Sequence, residues 1–142
     1  MYDDVLLATD GSETAETAAE HAVEVSNRFD ARLHVVHAVS PPLSEMFSSE
    51  DVERALEEAT AAGEKVVEEV AERARDEGVD AVTRVEQRAP HEAILEYAEE
   101  NDADVIVMGS RGRSEKSLRD RLLGSVSAKV VNTSEKPVLT VR

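Results

Sequence analysis

The sequence predicts a doubly wound α/β domain, in which helices cover both faces of a parallel sheet. Short apolar runs alternate along the chain with longer stretches whose apolar residues recur at helical spacing. Strands that alternate with helices form βαβ units, and the strands of such units are parallel. The length of 142 residues suits one hydrophobic core, and no linker or internal repeat divides it. We therefore expect residues 1–142 to form a single domain.

Five segments are predicted as strands because each is short, largely apolar and bounded by polar or turn-forming residues. Unbroken apolar runs such as Val5–Ala8 are typical of strands that are buried on both faces of a sheet. The predicted strands are Asp4–Thr9, Arg32–Ala38, Ala81–Gln87, Asp104–Met108 and Pro137–Val141.

Four stretches with helical periodicity lie between these strands. The second is long, is ended by Gly78, and is expected to be loosened in its middle by Gly63. The third has Pro90 in its first turn, a position that suits proline because the amide there has no helical partner. The predicted helices begin at Glu13, at Glu50, at Pro90 and near Ser125.

The composition excludes several classes of function. The net charge of −15 argues against nonspecific binding to nucleic acids or anionic membranes, because both are polyanions. The 31 acidic residues are spread along the chain, and only four of the 16 basic residues are lysine. This pattern is similar to that of proteins from extreme halophiles, where carboxylates keep a protein hydrated in concentrated salt; the alternative is a functional acidic patch.

The absence of cysteine excludes disulfides and thiolate metal sites. The acidic start Met1–Asp4 and the short apolar run that follows are not typical of a signal peptide or a membrane span. We therefore expect a cytoplasmic protein. His34 and His37 are predicted to point to opposite faces of one strand, so a shared metal site is not expected, and no histidine is assigned a role.

The end of the first predicted strand carries the first candidate functional segment, Thr9-Asp10-Gly11-Ser12. Ligands of open α/β sheets bind beyond the carboxyl ends of the strands, where the winding reverses. Asp10 is therefore a candidate for binding a ribose hydroxyl or a metal. The alternative is that Asp10 or Ser12 only caps the following helix.

The second candidate is a glycine-bearing loop after the fourth strand. Gly109 and Gly112 begin it, and Gly124-Ser125 leads into a helix whose first amides carry a partial positive charge suited to an anion. Glycines at ordinary turns are the alternative.

The charge of this loop favours an anionic ligand such as a phosphate. Between residues 111 and 121 five basic residues stand against two acidic ones, in a chain that is otherwise strongly acidic. Ion pairs with carboxylates elsewhere are the competing explanation. The five are Arg111, Arg113, Lys116, Arg119 and Arg121.

Several motifs occur together in order along the chain. They are Val-Leu-Leu-Ala-Thr-Asp-Gly-Ser-Glu at 5–13, Asp-Val-Ile-Val-Met-Gly-Ser-Arg-Gly at 104–112, Leu-Leu-Gly-Ser-Val-Ser at 122–127 and Lys-Pro-Val-Leu-Thr-Val at 136–141. From about residue 3 to the last residue, this combination resembles the ATP-binding type of universal stress protein.

The resemblance implies a five-stranded parallel sheet in the order 3-2-1-4-5, and a homodimer formed through Val138–Val141. It implies bound ATP, alone or with Mg²⁺, with Thr9 and Asp10 on the ribose and phosphate side. The backbone at Ala38 and Val39 would meet the adenine, and Met108 would border the base. The implied phosphate contacts are Gly109, Gly112, Arg113, Gly124, Ser125 and Val126.

One departure from the family pattern affects this site. Gly112 and Gly124 are separated by eleven residues, two more than is usual in the family. Three functions follow as hypotheses. The first is an ATP-dependent stress sensor or switch with at most slow hydrolysis or autophosphorylation; the second is a dimeric interaction module that has lost ATP through the insertion. The third, a related adenine-nucleotide hydrolase or ligase, would need a Ser-Gly-Gly-x-Asp-Ser type of loop that is not present.

Overall fold

The computed structural model describes residues 1–41, 48–111 and 123–142. Strands and helices alternate along the chain, as the apolar periodicity predicts. The strands are β1 (Asp4–Ala8), β2 (Arg32–Ala38), β3 (Ala81–Glu86), β4 (Val105–Gly109) and β5 (Val138–Val141). The helices are α1 (Glu13–Phe29), α2 (Ser49–Asp76), α3 (Pro90–Glu100) and α4 (Ser125–Thr133).

All five strands are parallel, in the order β3-β2-β1-β4-β5. This confirms the predicted fold class and the strand order that the family resemblance implies. The chain winds outward from β1 to β2 and β3 and then returns to place β4 on the other side of β1. The winding therefore reverses between β1 and β4.

The apolar side chains of the central strands alternate between two cores, one on each face of the sheet. On one face, Val5 and Leu7 of β1 pack with residues of α1 and α2. On the other face, Leu6 and Ala8 pack with residues of α3 and α4. The unbroken apolar character of β1 follows from this burial on both sides.

A buried hydrogen-bond chain crosses the second of these cores. The Nδ1 atom of His34 lies 2.7 Å from the hydroxyl of Tyr97 on α3, and its Nε2 lies 2.8 Å from Oδ1 of Asp4. The rings of His34 and Tyr97 also make an edge contact, with centroids 5.5 Å apart. This chain therefore ties α3 to two neighbouring strands.

The element ends differ from the predictions by at most one residue. Thr9 was predicted in the first strand but follows it, although its N–H still donates to the carbonyl of Val36 at 3.0 Å. The second helix starts at Ser49 rather than Glu50, because the hydroxyl of Ser48 accepts the N–H of Asp51 and caps it.

The expectation that Gly63 loosens α2 was wrong, because the helix is continuous from Ser49 to Asp76. Gly63 is buried, and a Cβ atom added there would overlap the ring of His37. The glycine thus allows a close approach of helix to strand. None of the described helices is long and apolar enough to cross a membrane.

Candidate functional site

A cavity of about 320 Å³ lies beyond the carboxyl ends of β1 and β4, at the point where the winding reverses. Its walls are largely apolar, and its polar groups come from the turns after these two strands and from the start of α4. The described residues that line it are Ala8, Thr9, Asp10, Ala15, Val36, Ala38, Pro90, Ile94, Met108, Gly109, Arg111, Ser125, Val126 and Ser127.

The turn after β1 is held in shape by its own side chains. The N–H of Gly11 donates to Thr9 Oγ1 at 3.3 Å, and the N–H of Ser12 donates to Asp10 Oδ1 at 3.0 Å. Gly11 has a φ of 78°, which glycine adopts readily. Helix capping and a place at the cavity thus belong to different residues of this segment. Ser12 caps α1 by accepting the N–H of Ala15, whereas Asp10 lines the cavity.

The turns at Gly109 and Gly124 meet directly, although fourteen residues separate them in sequence. The N–H of Gly124 donates to the carbonyl of Ser110 at 2.6 Å, and the hydroxyl of Ser127 donates to the same carbonyl at 2.7 Å. The N–H of Ser110 is held in turn by the carbonyl of Val141 at 2.7 Å. The end of β4 and the start of α4 are thus fixed to each other.

The first turn of α4 opens on the cavity. The first backbone bond of the helix runs from the N–H of Ala128 to the carbonyl of Gly124, and the three residues before Ala128, Ser125 to Ser127, line the cavity. No acidic residue occupies this turn to compensate its partial positive charge. The arrangement is suited to an anion held by backbone N–H groups.

The whole chain, residues 1–142, matches the model of the universal stress protein family. The chain belongs to this family. A universal stress protein of Thermus aquaticus is 41% identical over 149 residues, with all of both chains covered.

Two solved structures of universal stress proteins superpose on this fold. One is in complex with cAMP; it has a TM-score of 0.75 and 32% identity, and covers 99% of this chain and 97% of its own. The other, from Archaeoglobus fulgidus, is in complex with dAMP; it has a TM-score of 0.65 and 26% identity, and covers 100% of this chain and 98% of its own.

In this universal stress protein, most of the site residues predicted from sequence lie together. Two do not line the cavity: the N–H of Val39 donates to the carbonyl of Glu86 in the sheet, and Gly124 stands just before the lining residues of α4. Gly112 and Arg113 lie outside the described residues. The predicted residues that line the cavity are Thr9, Asp10, Ala38, Met108, Gly109, Ser125 and Val126.

Gly109 has a packing role that the sequence did not indicate. A Cβ atom at Gly109 would lie 2.8 Å from Cγ2 of Thr14 and 3.2 Å from that residue's backbone. The absence of a side chain at Gly109 therefore lets α1 pack against the end of β4.

Two features of the site were not predicted from the sequence: part of its apolar wall and the hydroxyl of Ser127. Pro90 and Ile94 at the start of α3 line the cavity, and Ser127 fixes the two turns. The proline marks the start of α3 in the sequence, but the contact of this helix with the cavity depends on tertiary packing. Among the described residues, no group of three or more His, Asp or Glu side chains is arranged to hold a metal ion.

Proposed function

We propose that this universal stress protein binds ATP in the cavity between β1 and β4 and acts as a nucleotide-dependent sensor or switch in the stress response. The observation that carries the proposal is the first turn of α4, which has no acidic residue of its own and borders an apolar cavity at the switch point of the sheet. Relatives in complex with cAMP and dAMP support an adenine nucleotide as the ligand class.

The two kinds of cavity wall suit the two ends of a nucleotide. Val36, Ala38 and Met108 offer an apolar surface for the base, and the backbone at Ala38 and Val39 is its proposed edge contact. Thr9 and Asp10 lie on the proposed ribose side.

The phosphates are assigned to the turns at Gly109 and Gly124. We assign them to the amides of Ser125 and Val126, with the segment 109–113 completing the cradle. In this assignment Gly124 shapes the turn, because its own N–H is already bonded to Ser110.

We propose that turnover is slow at most, whether by hydrolysis or by autophosphorylation. Among the described residues that line the cavity, Asp10 is the only carboxylate that could act as a general base. Its Oδ1 already accepts the N–H of Ser12. A base engaged in this way is poorly prepared to activate water. Nucleotide binding would instead shift the protein between two conformational states, and a partner or the dimer would respond to that change.

The experiment compares two substitutions of one residue by isothermal titration with ATP and Mg²⁺ in concentrated salt. Ser125→Pro removes an amide donor at the first helical position, where proline is tolerated, and Gly124 before it already has the extended backbone that proline requires. Ser125→Ala is the matched control, because it loses the hydroxyl but keeps the amide.

We expect the wild type to bind ATP and the proline variant to bind at least about tenfold more weakly than the alanine variant, as the loss of a hydrogen bond to a charged group implies. Equal affinities of the two variants would refute the proposed role of the α4 amides. A wild type without any heat of binding at millimolar ATP would favour the interaction module.

We further propose a homodimer formed through Val138–Val141. Among the described residues, β5 pairs only with β4, so its outer edge carries unpaired backbone groups, and the side chain of Leu139 on this strand is exposed. Such an edge favours pairing with a second strand. Sedimentation equilibrium should give twice the mass of one chain for the wild type and the mass of one chain for Leu139→Lys. A monomeric wild type would contradict this interface.

The acidic surface is proposed to adapt the protein to concentrated salt. The acidic residues behind the charge of −15 are spread over α1, α2, α3 and several connecting segments rather than concentrated at the cavity. We assign it to hydration and solubility, and not to ligand binding.

A further inference from the structure

His37 is a second histidine of β2, on the opposite face of the sheet from the cavity. Its Nδ1 atom lies 2.7 Å from the carbonyl oxygen of Thr9. A carbonyl oxygen accepts hydrogen bonds and cannot donate them, so Nδ1 carries the proton. The imidazole therefore donates to the backbone at the point where β1 ends.

This bond acts on the turn that follows β1, from Thr9 to Ser12. The turn from Thr9 to Ser12 is closed by local bonds, from Gly11 to Thr9 Oγ1 and from Ser12 to Asp10 Oδ1. Such local bonds shape the turn but do not fix its position on the sheet. Two further hydrogen bonds connect the turn to β2. The N–H of Thr9 donates to the carbonyl of Val36, and the carbonyl of Thr9 accepts the Nδ1–H of His37.

The ring of His37 is itself held by α2. Gly63 is buried although its neighbours Ala62 and Glu64 are exposed, and the ring occupies the space that a side chain at Gly63 would need. The imidazole is thus enclosed between the backbone of α2 and the end of β1. A displacement of α2 at this point would move the ring and, through it, Thr9.

We infer that His37 is a positioning residue of the nucleotide site. From the face of the sheet opposite the cavity, its Nδ1–H holds the Thr9–Ser12 turn in position. The inference rests on the proposed function for its effect on ATP. The positioning of the turn itself is a property of the unliganded protein.

The experiment compares His37→Asn with His37→Leu. The two side chains have nearly the same shape, but Asn carries an amide nitrogen where His carries Nδ1, whereas Leu has no donor. Both leave the same space beside Gly63, so a difference between them reports the hydrogen bond and not the packing. Hydrogen exchange of the Gly11 and Ser12 amides is measured without ligand, and ATP affinity is measured by titration.

We expect His37→Leu to exchange the Gly11 and Ser12 amides at least about fivefold faster than His37→Asn, and to bind ATP at least about fivefold more weakly, with partial rescue by Asn. Equal exchange rates in the two variants would overturn the inference. If the wild type binds no ATP, the proposed function fails while the exchange comparison still decides the role of His37. Altered exchange with unaltered ATP affinity would overturn the link to the nucleotide site.

Discussion

At the scale of single residues, the chain of Asp4, His34 and Tyr97 shows how one buried histidine is satisfied. Its Nε2 faces a carboxylate and so carries the proton, which leaves Nδ1 to accept from the hydroxyl of Tyr97. Burial raises the pKa of Tyr97, and this keeps the hydroxyl protonated as a donor. Each polar atom of the imidazole therefore has a partner inside an otherwise apolar core.

We predict that Tyr97→Phe lowers the free energy of unfolding at neutral pH by about 1–3 kcal/mol, because His34 Nδ1 is left buried without a donor. Urea unfolding followed by circular dichroism measures this change. Tyr2→Phe, at a partly exposed tyrosine, is the control and should differ little from the wild type.

The same tyrosine also predicts a pH dependence. Because the folded-state pKa of Tyr97 is raised, its stabilising contribution is complete below about pH 10 and is lost as the pH rises through the folded pKa. The wild type should therefore lose more stability in this alkaline range than Tyr97→Phe. Parallel stability curves for the two proteins would contradict this explanation.

At the scale of elements, the contact between α2 and β2 explains a glycine in the middle of a long helix. Helix propensity alone favours alanine over glycine by about 1 kcal/mol. Gly63 has a structural role here, because the absence of a side chain leaves room for the ring of His37. The propensity of the helix and the packing of the sheet therefore act in opposite directions at this position.

We predict that Gly63→Ala does not stabilise the wild type, whereas in a His37→Ala background it stabilises by about 1 kcal/mol. Chemical unfolding of the four proteins of this double-mutant cycle measures the coupling. A stabilising effect of equal size in both backgrounds would show that the helix and the ring do not compete for the same space.

The elements themselves could be predicted from the sequence, but their ends and contacts only in part. Apolar periodicity is local, so it located all five strands and four helices. The start of α2 depends on the cap at Ser48, which the apolar pattern does not report. The role of Gly63 depends on a residue 26 positions away, and no local pattern contains that information.

At the scale of the whole molecule, the charge of −15 predicts a response to salt. Repulsion among carboxylates destabilises the compact state, and salt screens it. We predict that the free energy of unfolding rises as KCl increases from about 0.1 M to about 2 M. A variant with Glu57→Gln and Glu58→Gln, both exposed on α2, should show a weaker dependence. Stability that falls with KCl would argue against salt adaptation.

The candidate site was also only partly accessible from the sequence. The motifs identified the turns at Asp10, Gly109 and Gly124, and the topology explains why those turns meet at one edge of the sheet. The sequence did not indicate that Ser127 fixes two of them, nor that His37 supports Thr9 from the other face. Both contacts join residues that are distant in sequence, so no local motif reports them.

In the proposed site, the first amides of α4 and the turn after β1 face one nucleotide. The most direct measurement is a ¹⁵N–¹H correlation spectrum of the labelled protein during titration with ATP and Mg²⁺. We predict the largest shifts at Thr9–Ser12, at 109–111 and at 125–127, with little change at Phe29 or Asp102. An absence of shifts at saturating ATP, or shifts that avoid the start of α4, would contradict the account.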